Sequence, residues 1–375
     1  MPTVAPRGLE DVVASPSSIC FIDGNQGVLA YRGYDIHDLA ERSTFAETAY
    51  LLWHGHLPDA AQLRALEESL RAEAAVPAPL AALLRSLPAE AAPMDVLRTI
   101  TSAAALYDAE AQDMSPEANR RKALRLLART PTLVAAFERL RRKQEPIPPA
   151  RDLGLAANFL YMLTGQRPSD TAARAFDIAL ILHADHEFNA STFAARVTAA
   201  TLSDIYSAIT SALGALKGPL HGGANEAVIR LLLKIGEGDP LAAIRQMVAD
   251  KKKVPGFGHR VYHTEDPRAT HLRQMSRELG EKTGHDRLYQ MSRRIEEFMN
   301  SEKHLNANVD FYSASLYYDL GIPIDLYTPI FAASRMSGWT AHVLEQYADN
   351  RLIRPRAEYV GPNVPQPYIP LAQRG

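Results

Sequence analysis

The segment Gly218-Pro219-Leu220-His221-Gly222-Gly223-Ala224-Asn225-Glu226 sets one imidazole between a Gly-Pro break and a Gly-Gly pair. Glycines on both sides strip bulk from around the ring, so a ligand can approach the ring and the backbone closely. A helix is predicted to start at once, with Val228, Leu231, Leu232 and Ile235 on one face. The positive end of that helix would lower the pKa of the imidazole and keep it a neutral hydrogen-bond donor to a carbonyl. A loop histidine that merely closes off a helix fits the same residues.

Five further segments put ionisable groups in unusual settings. Leu182-His183-Ala184-Asp185-His186-Glu187-Phe188-Asn189 closes an apolar helix with polar groups. Val254-Pro255-Gly256-Phe257-Gly258-His259 brings a second imidazole after two glycines. Asp266-Pro267-Arg268 puts a guanidinium in the first turn of a helix, where it and the helix end both favour a carboxylate. Asn308-Val309-Asp310-Phe311-Tyr312-Ser313 sets a lone carboxylate among apolar and aromatic neighbours, which should raise its basicity. Ser334-Arg335 follows the apolar run Pro329-Ile330-Phe331-Ala332-Ala333.

Each segment has a plainer reading. His183 and His186 suit a helix end, where an imidazole complements the dipole. With Asp185 they also suit a hydrolytic metal site, although the region has no cysteine and no HExxH pattern. Arg268 fits a solvated helix, Asp310 a helix cap, and Lys251-Lys252-Lys253 a solvated face.

The elements that must position these groups read as helices. Residues 16–33 suggest short extended pieces joined by the turn Asp23-Gly24-Asn25-Gln26-Gly27. Beyond them, Thr44 and Glu47 are spaced as a capping box, and Ser115-Pro116-Glu117 opens a long amphipathic stretch. Asp170 opens another helix, Thr201 with Asp204 a further one, and Asp266-Pro267 the one that carries Arg268. The expected fold is mainly α, with about 15 or more helices at average helix length. Gly218-Pro219 and Gly321-Ile322-Pro323 read as joints. They divide the chain into a large domain, 1–217 with 325–375, and a small domain, 218–324. The proline-rich tail after Asp349 reads as a strap over another surface, such as a partner subunit.

A chain of 375 residues with 46% hydrophobic and 22% charged residues is long enough for a substantial core. Its 41 basic and 43 acidic residues give a net charge of -2, so bulk electrostatics offer no case for nucleic acid or an anionic membrane. The single cysteine, Cys20, permits neither an intrachain disulfide nor a cysteine metal cage, and reads as a small buried hydrophobe. No apolar run reaches 18 residues, and Met1–Arg7 lacks the apolar core of a signal peptide. A soluble cytoplasmic protein is expected.

Taken together, LHADHEFNAS, GPLHGGANEAV, PGFGHRVYHTEDPRA and NVDFYSA, in that order, resemble the citrate synthase family. The N-terminal GLEDVVASPSSICFIDGNQGVLAYRGYDIHDLA and the tail RPRAEYVGP are similar to it too, so the resemblance spans nearly the whole chain. It implies a two-domain helical subunit, a homodimer, and closure of the small domain over substrate. It implies condensation of acetyl-CoA with oxaloacetate, with CoA as cosubstrate and no tightly bound cofactor or metal. By resemblance Asp310 is the base, His221 the donor to the thioester oxygen, and His259 the donor to the oxaloacetate carbonyl. His186, Arg268 and Arg335 would hold the oxaloacetate carboxylates, with Arg354 reaching in from the partner subunit and Arg356 as the neighbouring alternative. His183 would stand behind the substrate site. Val254, Pro255, Gly256, Phe257 and Gly258 would meet the CoA adenine, with Lys253 and Arg260 near its phosphates. A 2-methylcitrate synthase, taking propionyl-CoA, would carry the same residues, because one methylene alters discrimination by only about 1–3 kcal/mol. A metal-dependent hydrolase and a helical scaffold without chemistry are the readings from other classes.

Overall fold

A computed structural model describes residues 7–9, 12–362 and 364–374. Met1–Pro6, within the stretch read as lacking a signal sequence, and Glu10 and Asp11 of the N-terminal resemblance lie outside the described residues. Among those described, the protein has sixteen α-helices and one three-stranded antiparallel sheet. The strands β1 (Cys20–Asp23), β2 (Val28–Tyr31) and β3 (Tyr34–Asp35) run in order, with Cys20 opposite Tyr31. The turn between β1 and β2 is held by Asp23, whose Oδ1 accepts the backbone N–H groups of Asn25 and Gln26.

Local chemistry sets the helix starts. Thr44 and Glu47 form a complete capping box before the helix Phe45–His54. Ser115 caps Pro116–Arg141, with proline in its first turn. Two starts differ from expectation. Ser169, not Asp170, caps Asp170–His183, and Asp170 sits inside the first turn, where its charge complements the dipole. Asp204 itself caps Ile205–Leu216, while the Thr201 hydroxyl turns back to the carbonyl of Thr198. Cys20 is half-buried rather than buried.

The helix Tyr327–Ala348 is the axis of the core. It is buried from Tyr327 to Val343 and packs against Pro116–Arg141, Ala190–Ala199, Ile205–Leu216, Phe45–His54 and Asp170–His183. A helix enclosed on all sides carries polar groups only where each has a partner or a task. Arg335 lies in its middle.

The helices Ala224–Ile235, Pro240–Ala249, Pro267–Thr283, Asp286–Lys303 and Val309–Asp319 pack chiefly on one another. Pro267–Thr283 also touches Ile36–Arg42 and Asp170–His183. The second, third and fourth of the five further segments thus sit on one helical cluster, and His183, His186 and Arg335 on another. No helix among the described residues is long and apolar enough to cross a membrane.

Candidate active site

His221 lies in a tight turn, its N–H donating to the carbonyl of Gly218 at 2.9 Å. Gly222 is required by close approach, since a Cβ there would lie 2.4 Å from the carbonyl oxygen of Leu216. The Nε2 of His221 accepts the backbone N–H of Ser191 at 3.3 Å and sits 2.8 Å from the Ser191 hydroxyl. A ring nitrogen that accepts a backbone N–H carries no proton, so the proton of the neutral ring is on Nδ1. Burial, and then the charge of Arg335, pull the imidazole down to about 4. Burial is the larger cause and the charge of the Arg335 guanidinium the second; the cap of the next helix, Gly223, lies two residues further on.

His259 is the mirror case. Its Nδ1 accepts the backbone N–H groups of Val261 (3.0 Å) and Tyr262 (3.2 Å), which leaves the proton on Nε2. Burial, and then Arg268, bring it to about 4. His186 lies edge-to-face against His259, 5.1 Å between ring centres, and its Nε2 is 3.2 Å from the Tyr262 hydroxyl. His186 is held well below its ordinary value by burial, with Arg268 the next cause. His183 donates through Nδ1 to the carbonyl of Ala179 (2.8 Å), and its buried Nε2 has no partner among the described residues.

Asp266 organises the region. Its Oδ1 accepts from the backbone N–H (3.1 Å) and Nε (2.9 Å) of Arg268, and its Oδ2 from Nη2 of Arg268 (2.8 Å) and the N–H of Val309 (3.1 Å). One carboxylate thus ties the Arg268 helix to the start of the Asp310 helix. Asp266 takes up the helix start and two of the Arg268 side-chain nitrogens, so only part of the expected anion site stays open. Of the Arg268 side-chain nitrogens, Nη1 is the one left without a hydrogen bond among the described residues.

Asp310 is not a cap; Asn308 caps its helix, accepting the Asp310 N–H at 3.0 Å. Burial raises the Asp310 carboxyl to about 6, with Arg268 and Arg335 pulling it down and Asp266 pushing it up. Arg335 is 1% exposed; its Nε donates to the carbonyl of His183 at 2.7 Å, and its terminal nitrogens make no hydrogen bond among the described residues. Its guanidinium lies 4.8 Å from the ring centre of Phe331, which in turn packs on His183 (5.0 Å) and His221 (6.4 Å).

Asp310, His221, His259, His186, Arg268 and Arg335 therefore share one charged neighbourhood, in which each titratable group feels at least one of the two arginines. The stretch Val254–Gly258 joins it by backbone: Gly256 O accepts Asn308 N–H (2.9 Å), Gly258 N–H reaches Asn306 O (3.0 Å), and Asn308 Nδ2 reaches Gly258 O (3.0 Å). A cavity of about 190 Å³ opens beside His259, Asp266 and residues 304–307. Lys253 and Arg260 are exposed near this stretch. Arg354 and Arg356 are exposed on the irregular tail and are not brought to the cluster within one chain. A second, more apolar cavity between Ala60–Glu73, Pro116–Arg141 and Asp170–His183 is lined by none of these groups. Among the described residues no three His, Cys, Asp or Glu side chains are placed to hold a metal ion. Asp185 pairs with His342 instead (3.2 Å).

Sequence reasoning missed Asp266, Ser191, Tyr262 and Trp339, whose indole N–H donates to the Ser191 hydroxyl at 3.1 Å. The position of Asp266 before a helix-opening proline marked it as a cap, which it is, but gave no sign of its reach to Val309. Nothing in the local pattern marked Ser191 or Trp339, since they meet across 148 residues.

Residues 8–356 match the family model described as "Citrate synthase, C-terminal domain". The chain is 56% identical to "Citrate synthase 2" of Bacillus subtilis, over 99% of both chains. It is 45% identical to a "Citrate/2-methylcitrate synthase" of the same organism, over 95% of this chain and 96% of the other. A solved citrate synthase of Thermoplasma acidophilum, in a ternary complex with carboxymethyl coenzyme A and oxaloacetate, superposes with a TM-score of 0.91 at 35% identity, over 98% of each chain.

Proposed function

The chain belongs to the citrate synthase family, and on that premise we propose that it condenses acetyl-CoA with oxaloacetate and hydrolyses the product to citrate and CoA. The observation that carries this reading is the pairing of a basic, half-buried carboxylate with two neutral imidazoles of opposite tautomer around two buried arginines. Asp310 takes a proton from the methyl carbon of the thioester, while the Nδ1–H of His221 donates to the thioester oxygen as it gains charge. The Nε2–H of His259 donates to the ketone oxygen of oxaloacetate, whose carbon is attacked by the enol carbon. Water then cleaves the citryl thioester, releasing CoA. Arg335, whose terminal nitrogens lack protein partners, is the principal clamp for a carboxylate, with His186 and Nη1 of Arg268 beside it.

The other roles belong to the same proposal. Residues 218–324 form the lobe that closes over substrate. The chain acts as a homodimer, and Arg354 completes the partner's site, which accords with its exposure on the tail. Val254–Gly258, Lys253 and Arg260 meet the CoA. The relative that carries both names favours one second reading, use of propionyl-CoA to make 2-methylcitrate. The test is thiol release from acetyl-CoA and from propionyl-CoA, side by side, each with oxaloacetate. Faster turnover with acetyl-CoA supports the first reading, faster turnover with propionyl-CoA the second, and no oxaloacetate-dependent thiol release with either refutes both.

A further inference from the structure

Two buried arginines serve this site, and they are neutralised differently. Arg268 is gripped directly by Asp266. Arg335 has no such salt bridge, yet an isolated buried guanidinium is costly unless a counter-charge stands nearby. The helix Tyr327–Ala348 supplies one through a single face. Arg335 Nε holds the carbonyl of His183 at 2.7 Å. One turn on, Gly338 lies so close under the same segment that a Cβ would meet Asp185 Oδ1 and the carbonyl oxygen of Ala184, both at 2.4 Å. Two turns on from Arg335, Nε2 of His342 lies 3.2 Å from Asp185 Oδ2. Residues spaced three and seven apart share a helix face, so Asp185 is laid along the helix that carries Arg335.

The rest of the neighbourhood keeps Asp185 there. Nη1 of Arg196 lies 3.2 Å from Nδ1 of His342 and pairs with Glu345 at 2.7 Å, so His342 accepts at Nδ1 and donates from Nε2 to Asp185. The Tyr31 hydroxyl donates to the carbonyl of Asp185 at 3.0 Å. Asp185 and His342 are both fully buried, and the Oδ1 of Asp185 has no hydrogen-bond partner among the described residues. Burial pulls Arg335 below its ordinary value, and the charge of Asp185 is the leading influence in the other direction.

We propose that Asp185 is the standing counter-charge of Arg335. It keeps the guanidinium stable in the empty site without covering the nitrogens that meet a dicarboxylate. Asp185 is thus a positioning residue that stabilises the ligand-free protein at the expense of affinity. The inference rests on the assignment of Arg335 as the oxaloacetate clamp.

The test is Asp185→Asn, which keeps the acceptor for His342 and removes the charge. Isothermal titration of the ligand-free protein should show oxaloacetate binding about fivefold tighter, and the monoanion pyruvate gaining less, because the removed repulsion scales with ligand charge. The melting temperature without ligand should fall. Weaker or unchanged oxaloacetate binding overturns the proposal, as does an equal gain for pyruvate. His342→Gln, which keeps the carboxylate, should not tighten binding; a gain equal to that of Asp185→Asn would assign the effect to loosening and overturn the proposal. If Asp185→Asn does not fold, the double variant Asp185→Asn with Arg335→Met should, because both charges are then gone; failure of the double variant counts against the proposal. Absence of oxaloacetate binding in the unaltered protein would instead refute the function assigned to the site.

Discussion

Asp310→Asn tests the catalytic assignment by asking for opposite effects on stability and on rate. Burial raises this carboxyl from its ordinary 3.8 to about 6. A tenfold change in proton affinity is worth about 1.4 kcal/mol, so keeping Asp310 ionised inside the folded protein costs about 3 kcal/mol at most. The side chain is partly exposed, and solvent screening trims the cost to about 1–3 kcal/mol. The sign follows from linkage: the folded state holds the proton more tightly than the unfolded chain. The penalty is therefore absent below 3.8, grows as pH rises through about 6, and is complete above that. An amide carries no such charge. Asp310→Asn should be more stable than the parent at pH 7.5, and the difference should vanish near pH 4. Turnover should fall by about 10²–10⁴, the usual contribution of a positioned base. Denaturant unfolding at several pH values, with thiol release from acetyl-CoA, reads both quantities. A variant that is less stable than the parent at pH 7.5, a difference that does not change with pH, or turnover near that of the parent would refute the reasoning.

Arg335→Lys should raise the Michaelis constant for oxaloacetate at least tenfold with little change in that for acyl-CoA, because an ammonium cannot replace a planar fork; an unchanged constant in steady-state kinetics contradicts the clamp. Arg354→Ala should be inactive alone yet regain activity when mixed with a His221→Ala protein, through hybrid dimers that hold one intact site; no regain after subunit exchange argues against a shared site. Gly256→Ala should cost about 2–4 kcal/mol, because Gly256 has φ +80 and a Cβ would lie 2.8 Å from Phe311 and Val228. Since Phe311 follows Asp310, its turnover should drop as well, and thermal melting with kinetics at full substrate checks both. Saturating oxaloacetate should move the acid limb of the pH–rate profile above the limb expected near 6 for the free enzyme; a limb that stays or falls contradicts the electrostatic account.

The helical class was legible because capping boxes, proline starts and apolar periodicity are local, as at Thr44 with Glu47 and at Ser115-Pro116. The candidate segments stood out because glycine pairs and isolated charges inside apolar runs are costly without a purpose. What stayed hidden is what joins them. Asp266 bonding Val309 depends on two helix starts meeting across 43 residues. Gly24 looked like ordinary turn chemistry, yet its carbonyl accepts the His263 N–H at 2.8 Å and a Cβ would strike the carbonyl of Val261, so the first hairpin braces the His259 loop. The causes acting on His221 stayed hidden for the same reason: neither its burial nor a guanidinium from 114 residues away shows in the local pattern.

The two arginines give the site an order of events. With no ligand, burial first and then their charge hold His221 and His259 neutral, so both rings present a proton without being acids. The same charge opposes the effect of burial on Asp310 and keeps it a weaker base than its surroundings alone would make it. A bound dianion cancels that field and adds negative charge beside the carboxylate, so Asp310 becomes more basic only once the electrophile is in place. The cations that restrain the base, Arg268 first and then Arg335, are both among the groups proposed to meet the first substrate. On the proposed assignment, proton abstraction from a thioester is coupled to the presence of a ketone to attack, which would limit wasteful enolisation without any additional residue. A rise of the acid limb on oxaloacetate binding is the direct signature of that coupling, and its absence would leave the buried arginines with a binding role alone.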